Sequence, residues 1–319
     1  MSVTVGVDVG GTKIQAAAVR GEEVASSFRT PTPLTGARDL RRAIVHAVGE
    51  SLAAAGEERS ALEGVGLAMP GTVDGRQGTV ANSPNLPGFD SPVPVAIGPA
   101  VSEALGGVPV ALGNDVNVAV LGEHRRGAGR DYRNLLGVWV GTGVGGGLIL
   151  NGESFAGGGA GGEIGHTTVE PAGRVCSCGL RGHLEAYAGR GRMEARAREL
   201  VKKGRRTSLF RLQQKRGKDR VTSGVWLEAM RKGDRIANML IDEAVWALGI
   251  ALSSVQNLLD LEAIVIGGGL GDRLGEPFIA RVAAEMRPQL FVPDRPPVLL
   301  PTAFKDLSGA VGAAVLAGA

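Results

Sequence analysis

Three apolar runs in the chain each end in a glycine loop. Residues 3–9 lead into Gly10-Gly11-Thr12-Lys13. Residues 135–140 lead into Gly141-Thr142-Gly143-Val144-Gly145-Gly146-Gly147, and residues 263–266 into Gly267-Gly268-Gly269. A second β-type run, 14–19 and 148–150, follows each of the first two loops, so each unit reads as strand, tight turn, strand. The hairpin recurs after about 130 residues, a weak internal repeat of the kind that two halves of like topology produce. Glycine in such turns permits positive φ and lets backbone N–H groups come close to a phosphate. Gly10, Gly11, Gly141 and Gly143 are expected to need one or the other.

Between these loops the pattern alternates. Residues 39–55 have helical periodicity, 65–69 read as a strand ending at Pro70-Gly71, 99–105 as a helix and 108–112 as a strand. Asn114 is placed to cap a helix running to about Arg126. Residues 234–259 form a long, largely apolar helix expected to be buried, and Ser308 is placed to cap a final helix over 309–317. Strands alternating with helices indicate α/β architecture. A chain of 319 residues exceeds the usual single-domain size, so two domains are expected. The boundaries are placed at 1–112 plus 304–319 for one and 113–303 for the other.

Composition adds exclusions. Hydrophobic residues make up 44 % and charged residues 21 %, an ordinary soluble balance. Aromatics are only 4 %, so the core must be mostly Ala, Val, Leu and Ile. A net charge of +3 is too small to imply a nucleic-acid partner, and no apolar run is read as reaching transmembrane length. The start, Met1-Ser2-Val3-Thr4-Val5, passes straight into a strand pattern and resembles neither a signal nor a transit peptide. Two cysteines give no disulfide framework, so a cytoplasmic home is expected. Residues 196–220 are dense in Lys and Arg, with only Glu199 and Asp219 opposing. They read as a solvated helix face and its following loop, because no recognition helix accompanies them.

Residues 163–185 gather both cysteines and half of the four histidines: His166, Cys176, Cys178 and His183. Soft N and S ligands in one short loop suit a tetrahedral zinc. The alternative is a pair of plain thiols, since a one-residue spacing is too close for an easy disulfide. The 141–146 segment literally fits G-x-G-x-x-G, but a strand follows rather than the helix that a dinucleotide site requires. Residues 6–13 nearly match a P-loop, but Thr12-Lys13 inverts the required order and again a strand follows. What remains is a hairpin turn facing a phosphate. Asp8 interrupts an apolar strand, where a lone carboxylate is costly, so it is read as a Mg²⁺-directed group or a turn cap. Asn114-Asp115 at a strand-to-helix junction suits a helix cap or a general base for a hydroxyl nucleophile.

Together, Asp8-Val9-Gly10-Gly11-Thr12-Lys13, Asn114-Asp115, the 141–147 loop, Glu163-Ile164-Gly165-His166 with Cys176-Ser177-Cys178-Gly179, and Gly267-Gly268-Gly269 resemble, in order and spacing, the ROK family of repressors, open reading frames and sugar kinases. The resemblance covers essentially the whole chain. It implies an α/β actin-like ATPase (ribonuclease H-like) fold, two α/β domains flanking a cleft. It implies a sugar kinase using ATP with transient Mg²⁺. Asp8, Gly10, Gly11, Thr12, Lys13, Gly141, Thr142 and Gly143 would serve the phosphates, and Gly267, Gly268 and Gly269 the adenosine side. Asp115 would be the catalytic base. Asn114, Glu163, His166 and Glu185 would bind sugar hydroxyls, with Gly71 and Asn85 in the sugar-pocket wall. The family's zinc loop usually has three cysteines. Here His183 stands for the third, so a structural Zn²⁺ on His166, Cys176, Cys178 and His183 is expected, with His166 also reaching the sugar. The family's common Ser-Gly after this loop is replaced by Gly189-Arg190. The chain begins at the phosphate hairpin and so resembles the kinases rather than the winged-helix repressors. Glucose giving glucose 6-phosphate is the expected reaction. Kinases for fructose, mannose, N-acetylglucosamine or N-acetylmannosamine, a polyphosphate-using glucokinase and a non-catalytic sugar sensor are the rivals. Sugar and ATP are the expected partners of a homodimer or homotetramer, with no nucleic acid or membrane.

Overall fold

The computed structural model describes residues 2–318. In chain order the elements are β1 (Val3–Val9), β2 (Lys13–Arg20), β3 (Glu23–Pro31), α1 (Ala37–Ala54), β4 (Leu62–Met69), β5 (Thr72–Asp74), β6 (Thr79–Ala81), α2 (Ile97–Ala104), β7 (Val110–Asn114) and α3 (Asp115–Arg126). There follow β8 (Leu135–Val140), β9 (Val144–Leu150), β10 (Glu153–Phe155), α4 (Glu185–Ala188), α5 (Arg190–Lys202), α6 (Leu209–Lys215), α7 (Ser223–Arg231) and α8 (Arg235–Leu259). The chain ends with β11 (Ala263–Gly267), α9 (Gly268–Met286), β12 (Val298–Pro301) and α10 (Ser308–Ala317).

Two compact units result. One comprises residues up to Asp131 and from Asp306 onward, the other Tyr132–Lys305. The first unit therefore extends past the boundary expected at 112, and α3 belongs to it. The physical reason is α10, which packs on α3 as well as on β1 and β4. This close fit is made by missing side chains. A Cβ on Gly6 would strike the carbonyl of Ala310, one on Gly66 that of Ala313, and one on Gly312 that of Val118.

Each unit holds a five-stranded sheet, ordered β3-β2-β1-β4-β7 and β10-β9-β8-β11-β12. In both, a hairpin supplies an antiparallel centre and the next two strands add in parallel. The repeat read from the hairpins is thus a repeat of the whole sheet. The sides of β1 and β4 pack Val3, Val5, Val7, Val65 and Leu67 at 0 % exposure, which is why alternation disappears from these strands.

The second unit is centred on α8, begun by Asp234, whose carboxylate accepts from Ile236 and Ala237 N–H at 3.0 Å. By length and composition alone this helix is long and apolar enough to cross a membrane, against the expectation that no run reaches that length. Two-thirds of that apolar window, 67 %, lies buried within the unit, so the apolarity is accounted for by core packing. The basic 196–220 stretch forms two helical segments rather than one face and a loop. Arg198 pairs with Glu194 and stacks 4.4 Å from the Phe210 ring, which ties α5 to α6. Ser308 is not a cap. It is the first residue of α10, and its hydroxyl donates instead to buried Glu123 at 2.7 Å.

Candidate functional site

In the first unit β1 delivers Asp8 and Val9 to the turn that Gly10 closes, its N–H donating to the Lys13 carbonyl at 2.9 Å. Thr32 fastens the turn from behind, its hydroxyl donating to the Gly10 carbonyl at 2.6 Å. Asn114 caps α3 through its side-chain oxygen, which accepts from Val116 and Asn117 N–H at 3.1 and 3.3 Å. Its amide nitrogen donates to the Gly71 carbonyl at 3.4 Å. Asn114 thereby fixes Asp115 at the head of α3 against the β4–β5 turn. Gly71 has φ 99°, and a Cβ there would sit 2.6 Å from the Ala81 carbonyl, so only glycine fits.

Asp8 lies among charges. Loss of hydration pushes its pKa from 3.8 up to about 7. Asp115 and Asp306 add like charge, and Lys13 opposes them. Lys13 Nζ is 3.4 Å from Asp306. Asp306 was not singled out in the sequence. It precedes α10 with no pattern around it, and only the fold returns it to the first hairpin.

In the second unit the loop is shorter than the sequence implied. Gly145, Gly146 and Gly147 lie inside β9, paired with Trp139, Val138 and Gly137 of β8, so the turn is only 141–143. Antiparallel pairing accounts for this, and Gly146 is needed because a Cβ would stand 2.6 Å from the Gly162 carbonyl. None of Gly10, Gly11, Gly141 and Gly143 has positive φ, contrary to one of the two expectations. Crowding explains two of them. A Cβ on Gly11 would lie 2.9 Å from that of Asn85, and one on Gly143 would strike Glu185 Oε2. Gly268 does have positive φ, 81°, and a Cβ there would meet the Val140 amide N at 2.7 Å. Gly267 ends β11 and Gly269 is exposed in the first turn of α9.

Arg190, unexplained in the sequence, lies against this turn. Its backbone N–H donates to the Gly141 carbonyl at 3.1 Å, and its guanidinium reaches Thr142 Oγ1 at 3.0 Å and Ser223 Oγ at 2.6 Å.

The metal loop closes as expected from its donors. One donor atom from each of His166, Cys176, Cys178 and His183 falls within 4.8 Å of the others. Cys178 Sγ is 3.3 Å from His183 Nδ1, and Cys176 Sγ is 3.9 Å from His166 Nδ1. Donors around a tetrahedral zinc stand roughly 3.3–3.8 Å apart, so the set fits that ion after a small contraction. Both thiols are free, and burial pushes the Cys176 thiol above its ordinary value, an effect a bound cation would reverse. Glu185 sits at the rim. One oxygen accepts from Val144 N–H at 3.1 Å and the other from Ser177 Oγ and, at 3.6 Å, Cys176 Sγ. It therefore joins the metal loop to the second hairpin, a role beyond the sugar contact expected of it. Glu163 is exposed beside His166, which is also exposed. Asn85 is exposed next to Gly11.

The sequence matches the ROK family over residues 4–319. It is 35 % identical to the glucokinase of Thermotoga maritima over 85 % of this chain and 83 % of that one. The structure is similar to the ROK hexokinase of Thermus thermophilus, with TM-score 0.80, 33 % identity and coverage of 99 % and 98 % of the two chains. It is similar also to a ROK family glucokinase from Streptomyces griseus solved with glucose and AMPPNP, with TM-score 0.82, 32 % identity and 99 % of both chains covered. Duplicated hairpin-centred sheets, the capped Asp115 and the Cys/His loop thus coincide with similarity along nearly the full length, and the chain belongs to the ROK family, with the actin-like ATPase fold.

Proposed function

We propose that the protein is an ATP-dependent glucokinase that transfers the γ-phosphoryl group of ATP to the 6-hydroxyl of glucose. The observation that carries this reading is the fixing of Asp115 at the head of α3 by Asn114 and Gly71, with Asp8 in electrostatic reach. The likeness to the Streptomyces griseus enzyme, solved with glucose and AMPPNP, supports both substrates. Phosphoryl transfer needs little covalent help from the protein. Position and charge supply most of the rate. Asp115 aligns the acceptor hydroxyl and takes its proton as the new O–P bond forms and the bond to ADP breaks. Asn114, Glu163, His166 and Glu185 accept or donate hydrogen bonds to the remaining hydroxyls, near a wall that includes Gly71 and Asn85. Glu185 has acceptor capacity to spare beyond Val144 and Ser177, since a carboxylate offers about four lone-pair sites.

The turns holding Gly10, Gly11, Thr12, Lys13 and Gly141, Thr142, Gly143 present the phosphate-binding backbone, and Gly267, Gly268 and Gly269 face the nucleotide. Mg²⁺ arriving with ATP would neutralise phosphate charge, and Asp8 is the carboxylate placed to serve it. Zinc on His166, Cys176, Cys178 and His183 would be structural, with His166 Nδ1 turned to the metal and Nε2 left for the sugar. Two reduced cysteines suit a cytoplasmic enzyme, and a homodimer or homotetramer is the expected assembly.

The test is ADP release with glucose, fructose, mannose, N-acetylglucosamine and N-acetylmannosamine, each with ATP and with polyphosphate. Glucose with ATP should have the highest kcat/KM. A leading acetamido sugar would overturn the acceptor, polyphosphate outrunning ATP would overturn the donor, and silence with every sugar would return the chain to the sensors.

A further inference from the structure

Arg190 opens α5, and its guanidinium bridges two other helix heads. Nη1 donates to Ser223, the first residue of α7, at 2.6 Å. A Cβ on Gly269, in the first turn of α9, would lie 3.4 Å from both Arg190 Nη1 and Ser223 Oγ. Nη2 meanwhile donates to Thr142 in the hairpin turn at 3.0 Å. The heads of α7 and α9 therefore lie beside the guanidinium that opens α5, whose own first N–H groups are taken by the Gly141 and Thr142 carbonyls.

The partners of this arginine are hydroxyls alone. No carboxylate stands within ion-pair distance of it among the described residues. Its neighbour Glu194 is engaged elsewhere, by Arg198 at 2.6 Å and by the Val221 N–H at 2.9 Å. Burial depresses the Arg190 guanidinium below its ordinary value, the charge of Glu194 opposes this, and the charge of Arg220 adds to it. Arg174, Arg198, Arg216 and Arg281 of the same unit each have an acid partner. A half-buried guanidinium with no carboxylate in contact keeps donor capacity that an anion with several oxygens would fill. Exposed Thr142 and Gly269 leave the approach to it open.

We infer that Arg190 contacts the phosphate chain of the donor nucleotide, with Ser223 and Thr142 holding its fork in place. This rests on the kinase reading above but assigns a residue that reading does not use. Planar guanidinium nitrogens match phosphate oxygens two at a time, which an ammonium does not.

The experiment compares ADP with adenosine. Affinities for both are measured by calorimetry on the wild-type protein, Arg190→Met and Arg190→Lys, with steady-state KM values for ATP and glucose alongside. Arg190→Met should weaken ADP about 10- to 100-fold, the range for a lost charge-assisted hydrogen bond. Adenosine binding and the KM for glucose should stay within about twofold, and Arg190→Lys should recover part of the loss. Equal losses for ADP and adenosine would mean that Arg190 merely shapes the head of α5. Unchanged ADP affinity would overturn the inference outright. If Arg190→Met does not fold, Arg190→Lys, which keeps stem and charge, decides: ADP must weaken while adenosine does not. Should the wild type phosphorylate no sugar, the kinase reading fails, yet the ADP-against-adenosine difference still judges Arg190.

Discussion

In the first unit the β1–β2 turn looks onto Asp8, Asp115 and Asp306, with Lys13 as the cation among them. In the second, the corresponding β8–β9 turn has Arg190 on its threonine. The carboxylate beside this turn, Glu185, is already hydrogen-bonded to Val144 N–H and Ser177. Strand order, strand direction and turn position are the same in both. The electrostatic character is opposite. Topology decides where a turn can meet a ligand, and the residues that the fold returns to that turn decide what the ligand is. Carboxylates suit a hydroxyl proton and a divalent cation, whereas helix heads with an arginine suit phosphate.

The sharpest way to test this division is to neutralise the acidic side alone. Asp115→Asn keeps the shape and should lower kcat by about 10²–10⁴, the range for a lost general base. ADP affinity, measured by calorimetry, should not change. A mutant retaining a tenth of wild-type turnover would reduce Asp115 to a helix residue and dissolve the contrast.

Disturbing the second turn should have a broader effect. Gly143→Val drives a branched side chain into Glu185 Oε2 and so displaces the carboxylate that holds Val144. We expect kcat/KM to fall for both ATP and glucose, by about 10²-fold, since two hydrogen bonds to a charged group are broken. A loss confined to ATP would show that the valine obstructs only the phosphate.

Zinc removal should be milder. Purified protein should hold about one zinc per chain by elemental analysis, and Cys176→Ser should release it. The KM for glucose should rise roughly tenfold, with ADP binding intact, if the proposed metal orients His166 from outside the reacting atoms. Zinc-free protein with full activity would remove the metal from the comparison.

The smallest effect concerns stability. The Asp8 carboxyl is held up to about 7 against an ordinary 3.8, chiefly by lost hydration. The folded state therefore binds this proton more tightly than the unfolded state. The corresponding stability is full below about pH 4 and disappears as pH rises through 7. Asp8→Asn should raise Tm at pH 8, without nucleotide or Mg²⁺, by about 2–4 °C per kcal/mol recovered. The gain should shrink toward zero at pH 4. An equal gain at both pH values would show that packing, not ionisation, sets the stability there.

Much of this was legible before the structure. Strands 3–9 and 135–140, Asn114 as a cap and the grouping of His166, Cys176, Cys178 and His183 follow from local pattern, because a turn, a cap or a metal loop involves residues close in sequence. The parts that were not legible are long-range. Asp306 joins Asp8 only because α10 returns to β1, and Arg190 meets Ser223 and Gly269 only because three helices begin at one place. The extent of β9 was missed for a related reason: three consecutive glycines suggest a loop unless the partner strand is known. The glycines of the turns were correctly noticed, but two are required by neighbours, Asn85 and Glu185, rather than by φ.

The seating of α10 against Gly6, Gly66 and Val118 has a consequence for synthesis. On the ribosome β1, β2 and β4 emerge long before the helix that covers them, with residues 132–305 made in between. At about 5–20 residues per second this leaves the first sheet without its cover for roughly ten to thirty seconds. During that interval the face of β1 and β4 that α10 covers is open to water and to other chains. The second unit is contiguous in sequence and can finish folding first. The last helix then acts as a latch, and truncations that remove it should be found in inclusion bodies rather than as a weakened enzyme.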